Sequence, residues 1–140
     1  MNRFDVSYMR MALVWSENSY CKRSKVGAIL VKDNTIISDG YNGTVSQMSN
    51  NCEDEEGNTY WHVIHAEANA IAKIAKSNQS SIGATLYVTC SPCRECAKML
   101  FQAGITRVVY LNEYRDTSGI EFLSSVGINV NKLDIHEKFF

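Results

Sequence analysis

The stretch ATLYVTCSPCRECAKMLFQAGITRVVYL, residues 84–111, decides the fold. Residues 84–89 are rich in β-branched and aromatic side chains, which predicts a buried strand. A helix is expected over about 92–102, because Ser91 is a favoured N-cap residue and proline suits the first helical position. Residues 105–111 return to apolar character and predict another strand. The segment therefore predicts strand, helix and strand in succession.

The flanking sequence extends this alternation in both directions. Apolar residues at helical spacing open the chain, and two apolar runs around Asp33-Asn34 predict a hairpin, although its turn lacks a glycine. Besides residues 84–111, the predicted elements are a helix over 3–17, strands over 26–31 and from 35, a loop over 44–61, a helix from 65 or 66 to 76, a helix over 117–125 and a strand over 128–133. We expect an α/β fold, a three-layer α/β/α sandwich with a central mixed five-stranded sheet, as a single domain over residues 1–140.

Composition narrows the classes of function. The chain has 140 residues, 14 basic and 15 acidic side chains and a formal net charge of -1, which disfavours a broad grip on polymeric nucleic acid. Its first 20 residues show no secretory signal or membrane span, so we expect a cytoplasmic protein that does not bind membranes. Five cysteines in a reducing compartment favour metal binding over a disulfide framework.

Two short motifs supply the elements of a metal site. His65 is followed two residues later by Glu67, and Cys93 and Cys96 are spaced to share one face at the start of a helix. One imidazole and two thiolates form a three-ligand zinc site, which leaves the fourth tetrahedral position open as a catalytic zinc requires. A lone Cys-x-x-Cys would fit a structural zinc knuckle equally well, but such sites usually bring four Cys or His ligands. The motif pair favours a catalytic zinc with Glu67 as the residue that moves protons.

His-x-Glu combined with Pro-Cys-x-x-Cys is a known signature of zinc nucleobase deaminases. The chain resembles the cytidine deaminase-like superfamily at these residues, and within it the deoxycytidylate (dCMP) deaminases. The resemblance covers nearly the whole chain. It is carried by residues 21–28, the Gly-Tyr-Asn-Gly segment at 40–43, the His-Ala-Glu-x-Asn-Ala-Ile segment at 65–71, the second zinc segment at 91–98 and 102–105, and Tyr114. The family's usual proline after Gly-Tyr-Asn-Gly-x is absent, because Val45 occupies that place.

The resemblance implies a reaction and a set of roles. It implies deamination of dCMP to dUMP and ammonia, which supplies dUMP for thymidylate synthesis, with Glu67 as the acid–base residue. Asn42 would contact the deoxyribose, although an asparagine between glycines is ordinarily a turn residue. The backbone amide of Ala66 would hold the ring carbonyl, and Tyr114 would flank the pyrimidine or reach the phosphate.

The phosphate of a nucleotide requires positive charge. Arg23 and Arg115 are the candidates, because a guanidinium can hold a phosphate through two parallel hydrogen bonds. The basic run at 22–25 would otherwise be interpreted as a solvated loop.

The resemblance also implies assembly and regulation. Members of this family are commonly homohexamers activated by dCTP and inhibited by dTTP, with Mg²⁺ accompanying the triphosphate. Some carry a second, non-catalytic zinc, for which Cys21, Cys52 and His62 are the candidates; otherwise these are three unrelated side chains. The alternatives are a deaminase of another cytosine nucleotide or nucleoside, of a pterin or riboflavin precursor, or of tRNA adenosine. A catalytically silent zinc-binding or nucleotide-sensing module is the alternative outside enzymes.

Overall fold

The computed structural model describes residues 2–134 and confirms the mixed five-stranded sheet. Its strand order is β2-β1-β3-β4-β5; β1 is antiparallel to β2 and β3, whereas β3, β4 and β5 run parallel. Residue 1 and residues 135–140 of the predicted domain lie outside the described part. The elements in chain order are α1 (Phe4–Ser16), β1 (Gly27–Lys32), β2 (Thr35–Tyr41), α2 (Ala66–Ala75), β3 (Thr85–Cys90), α3 (Arg94–Gln102), β4 (Arg107–Asn112), α4 (Ser118–Ser125) and β5 (Asn129–Lys132).

The helices form a layer on each face of the sheet, as predicted. Alternate residues of β1 point to opposite faces: Leu30 packs in a cluster with α2, α3 and α4, whereas Ile29 packs in a cluster with α1. Both residues are almost fully buried. Within residues 2–134 the sandwich therefore has three helices on one face and one on the other. None of the helices in the described residues is long and apolar enough to cross a membrane.

The hairpin between β1 and β2 turns without a glycine. Asp33 and Asn34 have φ values of 52° and 60°, so both occupy the left-handed region. This is the pattern of a type I′ turn, which matches the twist of the flanking strands, and Asp and Asn tolerate it better than other side chains. The predicted turn is therefore confirmed without its usual glycine.

The predicted start of α3 was wrong by two residues. The helix begins at Arg94, and Cys93 is its N-cap with an extended backbone (φ -71°, ψ 169°). The Cys93 sulfur accepts a hydrogen bond from the backbone N–H of Cys96, the role that Ser91 was expected to fill. The Ser91 hydroxyl instead accepts a hydrogen bond from the backbone N–H of Tyr114 at 2.7 Å. The Cys93 sulfur thus takes the capping role of the serine because the helix begins only at Arg94.

A buried ion pair between Asp5 and Arg107 connects α1 to the sheet. Asp5 is fully buried, and its two carboxylate oxygens each accept a hydrogen bond from the Arg107 guanidinium at 2.9 Å. The Tyr87 hydroxyl donates to the same carboxylate at 2.6 Å. These contacts join α1 to β3 and β4 across more than 80 residues of sequence.

Candidate active site

Three predicted ligands converge at the N-terminal ends of α2 and α3. The Nδ1 atom of His65 lies 3.6 Å from the Cys93 sulfur and 3.3 Å from the Cys96 sulfur. The three ligand atoms all lie within 4.8 Å of one another. Cys96 is buried, whereas His65 and Cys93 reach solvent. The structure therefore brings together the imidazole and both thiols that the two motifs predicted.

Helix starts hold these ligands in place. His65 is the N-cap of α2 in an extended conformation, and its carbonyl accepts a hydrogen bond from the backbone N–H of Asn69 at 3.0 Å. Cys93 occupies the same position in α3. Helix N-termini carry a partial positive charge, which stabilises a thiolate there. Both helices therefore aim their positive ends at the group of ligands.

The pKa values of the two thiols shift in opposite directions. Hydrogen bonds from Cys96 and from His65 lower the pKa of Cys93 to about 3. The same bond to the Cys93 sulfur, together with burial, raises the pKa of Cys96 well above its ordinary range. The bond to Cys93 also raises the pKa of His65. These opposite shifts favour the thiolate at Cys93 and the protonated thiol at Cys96.

Glu67 lies in the first turn of α2, beside these ligands, and is only 4% exposed. Burial raises the pKa of its carboxyl group, and the negative charge of Cys93 adds to the effect. A raised pKa brings a carboxyl group closer to neutral pH, where it can both take up and release a proton. Burial beside the ligands and a raised pKa are what a general acid–base residue needs.

The donor set fits a zinc ion. One imidazole nitrogen and two cysteine sulfurs are zinc ligands, and three such ligands are the number typical of catalytic sites. The three atoms converge on one point without a fourth His, Cys or carboxylate ligand among the described residues. This observation separates the group from a four-ligand structural knuckle.

The Asn42 side chain is hydrogen-bonded to backbone groups of the residues that precede β1 in the sequence. Its Oδ1 accepts a hydrogen bond from the N–H of Val26 at 2.9 Å, and its Nδ2 donates to the carbonyl of Ser24 at 2.8 Å. The side-chain amide offers two N–H donors and two oxygen lone pairs. These two bonds use one donor and one lone pair. The side chain can therefore support the loop and still bind one more group.

The remaining substrate candidates lie on two loops and at one helix start. Arg23, Tyr114 and Arg115 have exposed side chains, and that of Tyr114 is 43% exposed. Ala66 is the first residue of α2, so its backbone N–H has no partner within the helix. The assigned substrate contacts of all four residues stay predictions.

A disulfide joins Cys21 to Cys52, which corrects the expectation that metal binding would account for the cysteines. The two Cα atoms are 5.2 Å apart, and the Glu53 carboxylate, next to Cys52, accepts hydrogen bonds from the backbone N–H groups of Lys22 and Arg23, next to Cys21. The group formed there comprises both sulfurs and Glu53; His62, the expected third ligand, is not a member. One buried oxygen of Glu53 has no hydrogen-bond partner among the described residues.

Two residues near the site were missed by the sequence reasoning. The Asn69 side chain donates to the carbonyl of Tyr41 at 2.8 Å and so ties α2 to the end of β2. Gly119 in α4 packs so closely that an added Cβ would lie 2.2 Å from the carbonyl oxygen of Pro92. The position of Asn69 in the His-Ala-Glu-x-Asn segment was a signal that could have identified it, whereas no local pattern marks Gly119.

The comparisons with known proteins identify relatives of this chain. The profile of the family described as "Cytidine and deoxycytidylate deaminase zinc-binding region" matches residues 2–112. The deoxycytidylate deaminase of Enterobacteria phage T4 is 30% identical over 90% of this chain and 92% of that protein. ComE operon protein 2 of Bacillus subtilis is 33% identical over 93% of this chain and 71% of that protein.

A solved structure gives a closer match. The dCMP deaminase of cyanophage S-TIM5, crystallised with dCMP and dUMP, superposes with a TM-score of 0.92 and is 47% identical. The match covers 95% of this chain and 99% of that chain. Together with the zinc-ligand geometry, these matches show that the chain belongs to the cytidine and deoxycytidylate deaminase family of zinc-dependent enzymes.

Proposed function

We propose that this enzyme hydrolyses dCMP to dUMP and ammonia and so supplies dUMP for thymidylate synthesis. The observation that carries the proposal is the convergence of His65, Cys93 and Cys96 beside the buried Glu67. The substrate assignment is supported by the 47% identity with the S-TIM5 enzyme, whose crystals contain dCMP and dUMP.

The zinc ion would be held by His65, Cys93 and Cys96. When bound, it would act as a Lewis acid that lowers the pKa of a coordinated water toward ~7. Both thiols ligate as thiolates, so the proton that Cys96 keeps in the metal-free protein leaves when the metal binds.

Glu67 moves the protons of the reaction. It takes one proton from the attacking water as the water oxygen bonds to C4 of the cytosine ring, and it delivers that proton to N3. It then passes the second water proton to the amino group on C4. The C4–N bond breaks and ammonia leaves, so that dCMP and water become dUMP and ammonia. A carboxyl group with a raised pKa suits both halves of this transfer.

The substrate would be oriented by groups around the helix starts. The Ala66 amide donates to the ring carbonyl, and Asn42 uses its remaining hydrogen-bonding capacity on the deoxyribose. Tyr114 borders the pyrimidine or the phosphate. Arg23 and Arg115 neutralise the phosphate, because their exposed guanidinium groups have the geometry for paired hydrogen bonds to its oxygens.

Assembly and regulation follow the resemblance to dCMP deaminases. We infer a cytoplasmic homohexamer that dCTP activates and dTTP inhibits, with Mg²⁺ accompanying the triphosphate. A second zinc would require reduced Cys21 and Cys52, because bonded sulfurs cannot both act as thiolates. Glu53 would supply the third ligand in that group, since one of its carboxylate oxygens lies within 4.8 Å of both sulfurs.

Ammonia release from a panel of substrates tests the reaction. The panel contains dCMP, deoxycytidine, dCTP and an RNA hairpin bearing the target adenosine. We expect turnover of dCMP to be fastest. Reaction with the RNA alone would refute the substrate assignment, and no reaction with any member would favour a non-catalytic zinc or nucleotide-sensing module.

The Glu67→Gln variant tests the mechanism. We expect turnover to fall by roughly two to four orders of magnitude, since one acid–base group contributes on that scale. Zinc content and melting temperature should be retained because Gln has the same shape. Glu95→Gln is the matched control: Glu95 lies at the start of α3 but is 74% exposed, so its loss should leave the rate unchanged. Near-normal activity of Glu67→Gln would exclude the assigned role.

A further inference from the structure

The hydroxyl of Ser91 connects two segments that the proposed chemistry uses separately. Ser91 lies two residues before the zinc ligand Cys93 and is 5% exposed. Its Oγ accepts a hydrogen bond from the backbone N–H of Tyr114 at 2.7 Å, across 23 residues of sequence. Its backbone N–H donates to the carbonyl of Asn112 at 2.9 Å. The residue is thus bonded once to the end of β4 and once to the loop that follows it.

The loop after β4 also contacts residues 91–94 where it leads into α4. The Arg94 guanidinium donates to the Ser118 hydroxyl at 3.2 Å, and it lies 4.0 Å from the Asp116 carboxylate. Gly119 fits against the carbonyl of Pro92 only because it lacks a Cβ. Residues 114–117 are therefore bounded on both sides by contacts with residues 91–94, which include the zinc ligand Cys93.

The contact at Ser91 and the contacts at Arg94 differ in strength. The Arg94 and Asp116 side chains are 67% and 50% exposed, and exposed pairs of this kind contribute little free energy. Ser91 is buried although Tyr114 is 43% exposed, so losing its hydroxyl would leave the Tyr114 N–H without its protein partner at the buried side of the loop. The hydrogen bond from Tyr114 to Ser91 is therefore the contact that positions the Tyr114 backbone.

We propose that Ser91 is a positioning residue for substrate binding, whose hydroxyl holds Tyr114 and Arg115 at a fixed place relative to the zinc ligands. It touches neither substrate nor metal and acts through the Tyr114 backbone. The inference rests on the proposed function, because it assigns Tyr114 and Arg115 to nucleotide binding. It also explains why a serine that the sequence marked as a helix cap does not cap the helix.

Substitution of Ser91 tests this role. In Ser91→Ala we expect the Kd for dUMP and the KM for dCMP to rise roughly fivefold to tenfold, the scale of one hydrogen bond. The kcat should change less than twofold, because the zinc ligands and Glu67 are untouched. Amide hydrogen exchange at Tyr114 should accelerate. Ser91→Thr keeps the hydroxyl and should restore the Kd for dUMP to within about twofold of the wild-type value.

Ser81→Ala is the matched control. The Ser81 hydroxyl donates to the carbonyl of Ala103 at 2.7 Å, a comparable bond on a partly buried serine remote from the ligands. Its loss should not alter the Kd for dUMP. A wild-type Kd for dUMP in Ser91→Ala, or equally weak binding by the Ala and Thr variants, would overturn the inference. Failure of the wild-type enzyme to turn over dCMP would instead overturn the proposed function.

Discussion

Replacing Asp5 by Asn should destabilise the protein far more than a surface substitution of the same kind. The carboxylate of Asp5 is fully buried and accepts hydrogen bonds from Arg107 and Tyr87. Asn keeps the shape of the side chain but removes its charge and presents N–H groups where an acceptor is needed. The Arg107 guanidinium, whose side chain is only 20% exposed, would then lack its counter-ion.

The magnitude follows from this geometry. Breaking a buried ion pair by removing one partner costs about 3–5 kcal/mol. Because Arg107 retains some contact with water, we expect the lower end, about 3 kcal/mol in the free energy of unfolding. For a chain of 140 residues this corresponds to a fall of about 10 °C in melting temperature. The exposed pair between Asp39 and Lys73 is the control, and Asp39→Asn should cost under about 1 kcal/mol.

Denaturant unfolding at a fixed protein concentration measures both variants. Burial alone would raise the pKa of Asp5, but the hydrogen bonds from Arg107 and Tyr87 outweigh it and lower that pKa. A lowered pKa contributes stability that is present above the unfolded pKa of about 3.9 and is lost as pH falls through the folded pKa. The difference between wild type and Asp5→Asn should therefore shrink in acid. Equal losses in Asp5→Asn and Asp39→Asn at pH 7 would refute the reasoning.

The remaining predictions concern the site and its supports. Chelation of zinc should abolish turnover, and added Zn²⁺ should restore it together with metal content measured by mass spectrometry; persistent activity of metal-free protein would count against a zinc enzyme. Gly119→Ala should cost about 1–3 kcal/mol and lower zinc occupancy, since the new Cβ displaces Pro92 and Cys93; unchanged occupancy would contradict the packing argument. Replacing Cys21 and Cys52 by Ser should lower the free energy of unfolding by about 3–4 kcal/mol, given their separation of 31 residues, whereas an unchanged denaturation midpoint would contradict the crosslink.

Local patterns predicted most of the elements, but the starts of α3 and β4 were each misplaced by two residues and several other ends by one. The hairpin, the alternation after it and the mixed sheet all followed from hydrophobic periodicity. The start of α3 did not, because Ser91 and Pro92 form a good helix-start pair in isolation. In the folded protein the Ser91 hydroxyl bonds to the Tyr114 N–H, a partner 23 residues away. A tertiary hydrogen bond therefore overrode a local preference.

The cysteines show the same difference between what local spacing predicts and what tertiary packing decides. Cys93 and Cys96 are neighbours on one turn, so their spacing alone predicted a shared ligand role. Cys21 and Cys52 are 31 residues apart, and only the packing of the segment before β1 against the loop at 52–59 joins them. The sequence also suggested His62 as their companion, whereas the fold supplies Glu53.

What the sequence predicted by itself is the chemistry of the site: which side chains would bind metal and which carboxylate would move protons. These features are encoded within a few residues, where spacing fixes which side chains share a helix face. The tertiary structure decided how those groups meet, because His65 lies 28 and 31 residues from the two cysteines. Packing of α2 and α3 on one face of the sheet brings their N-termini together, and burial in that interface raises the pKa of Glu67. Local spacing cannot encode burial, since burial depends on every element that covers the residue.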